Sequence, residues 1–174
     1  MPEENAPDFI VCADSDPVIV KINGKANYLN CSPVNEFFDC VISRGASHFL
    51  VDFQNCLGMD STFLGVLAGV ATRAMHKDPM GRLSLANLNA SNKQLIRGLG
   101  LHHLPSVEFL DEIEVTFQNG NQKQISEGLD CKEASADMIL EAHERLMKLN
   151  RANEKRFQDV VKFLRREAEK SSES

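Results

Sequence analysis

Asp60, Ser61 and Thr62 stand side by side between an apolar run and a helical pattern. Hydroxyls and a carboxylate at the start of a helix do one of two things. They cap it, since Asp, Ser and Thr are strong N-cap residues, and most such clusters do no more. Or they offer a modification site. The first backbone N–H groups of a helix lack intrahelical partners, and the macrodipole favours negative charge there. A phosphate on Ser61 would be welcome to those groups, while Asp60 would oppose further negative charge. Such a modification adds about −1.5 to −2 units of charge.

Other chemistries fit less well. A serine hydrolase needs its nucleophile on a G-x-S-x-G elbow with a histidine partner. Here the local sequence is Gly58-Met59-Asp60-Ser61-Thr62. His76, His102 and His103 read as surface or helix-end residues. His102 and His103 also lack Cys or carboxylate ligands nearby for a metal. Asp52 would imitate the acceptor of a phospho-receiver domain, but Ile22–Asn27 supplies no acidic pair. With no glycine-rich phosphate loop, the chain is expected to bind no cofactor and to have no enzymatic turnover.

The elements that would position Ser61 alternate between strand and helix. Residues 17–23 (PVIVKIN), 48–53 (HFLVDF), 82–88 (RLSLANL) and 107–110 (VEFL) read as strands. Phe9–Cys12 is a further short apolar element. Ser32 and Pro33 read as N-cap and first helical residue, and Val34, Phe37, Phe38, Val41 and Ile42 form the buried face that follows. Asn55–Asp60 reads as a loop. From Ser61, Leu64, Leu67, Ala68, Ala71 and Met75 keep helical spacing. Lys93–Leu99 is a further amphipathic helix closed by Gly100. Residues 111–131 fit a hairpin turned at Asn119–Gly120 or a short helix from Asp111, with the helix preferred. The pattern predicts an α/β fold with a mixed, mostly parallel sheet of four to five strands packed by helices.

The expected organisation is an N-terminal arm (1–16), a domain (17–117), a linker (118–132), a C-terminal helix (133–170) and a disordered tail (171–174). In the helix, Ile139, Ala142, Leu146, Leu149, Asn153, Phe157, Val160 and Leu164 share one face. Unbroken, it would be about 55 Å long. It must therefore protrude, fold over its own domain, or pair with another chain, as a homodimer would. Asn153 resembles the polar seam residue that fixes coiled-coil register.

The formal net charge of −6 argues against a nucleic-acid partner. Residues 1–131 carry 9 Lys/Arg and 16 Asp/Glu, and residues 132–174 carry 10 and 9. With no Trp and one Tyr, base-stacking platforms are scarce. Cys12, Cys31, Cys40, Cys56 and Cys131 form no CxxC pair and read as reduced structural thiols. With no basic n-region or apolar h-region at the start, and no apolar run near 20 residues, a cytoplasmic protein without membrane insertion is expected.

Met59-Asp60-Ser61-Thr62-Phe63-Leu64-Gly65-Val66-Leu67 resembles the signature of the STAS family of anti-sigma factor antagonists, D-S-[ST]-G-[LI]-[GA] in a strand–loop–helix. Val51-Asp52-Phe53 matches the strand before it. Asn23-Gly24-Lys25-Ala26-Asn27 sits where the family has its G-x-[LI]-D strand turn. Residues 82–101 resemble its third strand and the helix after it, so the likeness spans roughly residues 17–117.

The resemblance implies that Ser61 is the phospho-acceptor and that Asp60, Thr62, Phe63 and Asn27 bind the partner. It implies an anti-sigma factor or serine kinase as that partner, with a phosphatase resetting the switch. Two positions depart from the pattern. Phe63 replaces a Gly, as core residue or exposed anchor, and Asn27 replaces an Asp. The alternative is a non-switching STAS scaffold subunit of a transporter or signalling complex.

Overall fold

A computed structural model of the chain describes residues 8–117, 121–125 and 133–173. In order these form β1 (Phe9–Cys12), β2 (Val18–Ala26), α1 (Ser32–Ser43), β3 (His48–Met59), α2 (Ser61–Met75) and β4 (Arg82–Ala86). Then follow α3 (Ala90–Gly98), β5 (Val107–Leu110), β6 (Lys123–Ile125), α4 (Ala136–Met147) and α5 (Arg151–Ser172). All six strands share one sheet, in the order β5-β4-β3-β2-β1-β6.

Strands β2 to β5 run parallel, and one row of paired residues crosses them: Val20, Val51, Leu85 and Phe109. Parallel neighbours need crossovers, and α1, α2 and α3 supply them. β1 is antiparallel to β2 and to β6. The mixed, mostly parallel α/β fold is therefore as the sequence predicts, with six strands in place of four or five.

The additional pairing covers the edge of β2. Phe9, Val11 and Cys12 are buried there, so part of the expected arm is a sheet strand. β6 falls within the expected 118–132 linker, and its Ile125 enters the core. Residues 118–120, with the Asn119–Gly120 turn, and 126–132, with Cys131, lie outside the described residues, as do residues 1–7 and Ser174. No helix begins at Asp111, whose carboxylate pairs with Lys93.

The expected loop at Asn55–Asp60 is mostly strand. β2 and β3 stay paired out to Ala26 and Met59, with register shifts on either side of the Asn23–Asn55 and Gly24–Cys56 pairs. Gly24, at φ +79°, occupies the left-handed region that favours glycine. The N-cap of α1 is Cys31, so Ser32 and Pro33 both lie in the first turn.

The C-terminal segment is two helices in place of one. Asn150 caps α5 by accepting from the Asn153 amide, and the chain turns back on itself between Met147 and Arg151. Asn153 is fully buried, and its Nδ2 donates to the carbonyls of Leu99 and Leu146, each at 2.8 Å. Its amide nitrogen is thus used inside the chain, tying the helical hairpin to the end of α3.

Candidate functional site

The site forms where β3 ends and α2 begins. Asp60 has an extended backbone and caps α2, its Oδ1 accepting from the Phe63 amide at 2.9 Å. Its Oδ2 accepts from the Tyr28 amide, also at 2.9 Å. One carboxylate thus ties the turn after β2 to the first turn of α2. Asn27 belongs to the same turn. Its Oδ1 accepts from the Leu29 amide, and its own amide donates to Asn30 Oδ1.

Ser61 is the first residue of α2 and is half-buried. Its Oγ lies 2.8 Å from Nε2 of His143, a residue of α4. His143 Nδ1 is 2.7 Å from the carbonyl of Ile139. A carbonyl only accepts, so Nδ1 carries a proton, and in the neutral ring Nε2 then presents a lone pair. The serine hydroxyl donates to the imidazole in that form. The ring meets Phe157 of α5 edge-on, with centroids 5.1 Å apart.

The other expected contact residues separate by burial. Asp60 and Asn27 are half-buried and reach the surface. Thr62 and Phe63 do not: they are 3% and 0% exposed. Phe63 stacks on Phe9 of β1, with centroids 6.1 Å apart. The large side chain in the family's glycine position is thus a core residue, and the partner-facing places expected for Phe63 and Thr62 are not surface in this fold. Leu57 and Tyr28 are the large apolar residues exposed on the neighbouring β3 end and turn.

Electrostatics around the turn favour neutral groups. The Cys31 thiol is pushed up to about 12, by burial first and by the nearby Asp60 carboxylate second. Burial also raises the Cys56 thiol. Both stay protonated at neutral pH, which suits structural thiols.

His143 was not legible as a site residue. It shares α4 with the apolar Ile139, Ala142 and Leu146, and its partner is 82 residues away. The one signal available was a histidine on the buried face of an amphipathic helix. Serine, imidazole and an orienting carbonyl form a chain that resembles an activated nucleophile. However, clefts of 280 to 400 Å³ open at the far end of the sheet and beside Arg73 and Arg145, and neither Ser61 nor His143 lines them. Among the described residues no group of three or more His, Cys, Asp or Glu could hold a metal ion. No described helix is long and apolar enough to cross a membrane.

No protein-family model matches the chain, and no curated protein matches it in sequence. Solved structures do match. That of the Bacillus cell fate determinant SpoIIAA in the phosphorylated form aligns at TM-score 0.50 and 18% identity, covering 61% of this chain and 92% of that one. The anti-sigma factor antagonist SpoIIAA in its unphosphorylated form aligns at TM-score 0.48 and 14% identity, covering 62% and 89%. The chain therefore shares the SpoIIAA-like fold.

Proposed function

We propose that this chain is an anti-sigma factor antagonist-like regulatory protein that works in the cytoplasm. It binds an anti-sigma factor or serine kinase, phosphorylation of Ser61 switches that binding off, and a phosphatase restores it. The observation that carries this reading is the position of Ser61. It opens α2 directly behind the N-cap Asp60, half-buried at the end of β3 and outside the core. SpoIIAA, whose fold the chain shares, is described in a phosphorylated form.

The physical argument is one of charge. The N-terminal amides of α2 favour a dianion at Ser61 where the site is open to solvent. Inside a closely packed interface with no cation to meet it, desolvation costs about 2–5 kcal/mol. That weakens binding by roughly 30-fold to several thousand-fold. Asp60 and Asn27 would shape the docking face, while Thr62 and Phe63 would hold the turn from beneath. A homodimer through the C-terminal helix is left with the outer face of α5, where Val160 and Phe163 are exposed, because the Asn153 seam is used within the chain.

The test is to map phosphate in cells on wild type and Ser61→Ala, with affinity capture of wild type and Ser61→Asp in parallel. Phosphate lost in the first variant and a partner lost in the second are expected. Phosphate-free Ser61 under all growth conditions would end this reading.

The hydrogen bond between Ser61 and His143 favours a second reading, a non-switching STAS scaffold subunit of a transporter or signalling complex. A hydroxyl occupied by its own chain is a structural contact in that case. Stable co-purification with a complex whether or not residue 61 is changed to Asp would support it.

A further inference from the structure

Ser61, Gly65 and Gly69 are spaced four residues apart and form one stripe of α2. All three meet α4. Ser61 bonds His143. A Cβ on Gly65 would lie 2.5 Å from Ala142 Cβ, and one on Gly69 would lie 2.6 Å from the Arg145 guanidinium. Gly65 thus lets α4 approach to backbone contact at Ala142, Gly69 leaves room for the Arg145 side chain, and α4 covers the face of α2 that presents the serine. α5 backs α4 through Phe157 on His143 and the Arg165–Glu144 pair. The match to SpoIIAA covers 92% of that chain and only 61% of this one, so over a third of this chain has no counterpart there.

We propose that the α4–α5 hairpin is an internal occupant of the Ser61 face, latched by the Ser61–His143 hydrogen bond. It must lift before a kinase or partner reaches Ser61, and a phosphoryl group on Ser61 keeps it from closing again. This rests on the reading of Ser61 as phospho-acceptor.

A kinase would transfer the terminal phosphoryl group of a nucleoside triphosphate. The Oγ–P bond forms, the bond to the departing nucleoside diphosphate breaks, and the hydroxyl proton leaves to solvent. Three consequences follow for the latch. Oγ can no longer donate to Nε2. Phosphate oxygens do not fit a gap closed at 2.8 Å by a ring that is 5% exposed. The Asp60 carboxylate, on the adjacent residue, repels the new charge.

Amide hydrogen exchange on the full chain tests this, comparing wild type with protein carrying phosphoserine installed at position 61 during translation. We expect α4 amides to exchange at least tenfold faster in the phosphorylated protein, with β3 and β4 amides unchanged. Unchanged or slower α4 exchange, as from a phosphate held by a charged His143, overturns the inference. Gly65→Val crowds Ala142 without altering charge and is expected to open the same amides. If it leaves them slow, α4 is not a separable cover and the inference falls. These outcomes do not depend on phosphate being found in cells, so the hairpin and the functional reading fail separately.

Discussion

Asp60 Oδ2 accepts the amide hydrogen of Tyr28 at 2.9 Å, across 32 residues of sequence, while Oδ1 of the same carboxylate caps α2. Two segments that flank the candidate phospho-acceptor are thereby fixed by one side chain. Asp60→Ala removes both bonds. Loss of the cap alone costs about 0.5–2 kcal/mol, and an unpaired Tyr28 amide adds up to about 1 kcal/mol because that residue is exposed. Urea denaturation should show a loss of about 0.5–3 kcal/mol. A midpoint equal to that of wild type would show that the carboxylate anchors nothing.

Phe63 separates a core role from a partner-contact role. Its side chain is fully buried against Phe9, so Phe63→Ala should destabilise the chain by about 3–5 kcal/mol. A ring used only for docking would leave the unfolding midpoint where it was.

The Ser61–His143 bond invites a double-mutant cycle. Ser61→Ala and His143→Ala each remove one end of a half-buried hydrogen bond. We expect a coupling of about 0.5–1.5 kcal/mol in the unfolding free energies. Additive effects would mean that the two groups do not interact in solution.

Cys31 gives the chain a pH dependence in the alkaline range. Its thiol is raised from 9.0 to about 12, by burial and then by Asp60. A raised folded-state value means that the native protein keeps a proton the unfolded chain gives up. Its contribution is therefore complete below pH 9 and is lost as pH climbs towards 12. The slope is on the order of 1.4 kcal/mol per pH unit at most. Unfolding measured from pH 8 to 11 should trace that decline. Thiol labelling of native protein at pH 8 should modify the exposed Cys40 and spare Cys31.

What the sequence disclosed followed from local rules. Ser61 opens a helix because Asp60 caps it and the apolar residues behind it keep helical spacing. The parallel core was legible because Val20, Val51 and Leu85 sit in short β-branched or leucine-rich runs bounded by turns. Long-range pairing was not legible. Asn55, Gly58 and Met59 carry no strand pattern of their own and become strand because β2 continues beside them. β6 is three residues long and is defined by its register against Phe9–Val11. His143 took its meaning from a helix packing that no local spacing encodes. The same holds for Asn153, read as an intermolecular seam residue and found bonded to Leu99 and Leu146.

The Phe9–Phe63 stack has a practical consequence for anyone shortening this protein. The strand that opens the sheet props the turn on which the serine rides. Trimming the chain to begin at Pro17 would strip one aromatic neighbour from that turn and bare the flank of β2. Such a shortened protein would have a looser seat for its serine, and a binding defect measured on it would be misread as evidence about the docking face.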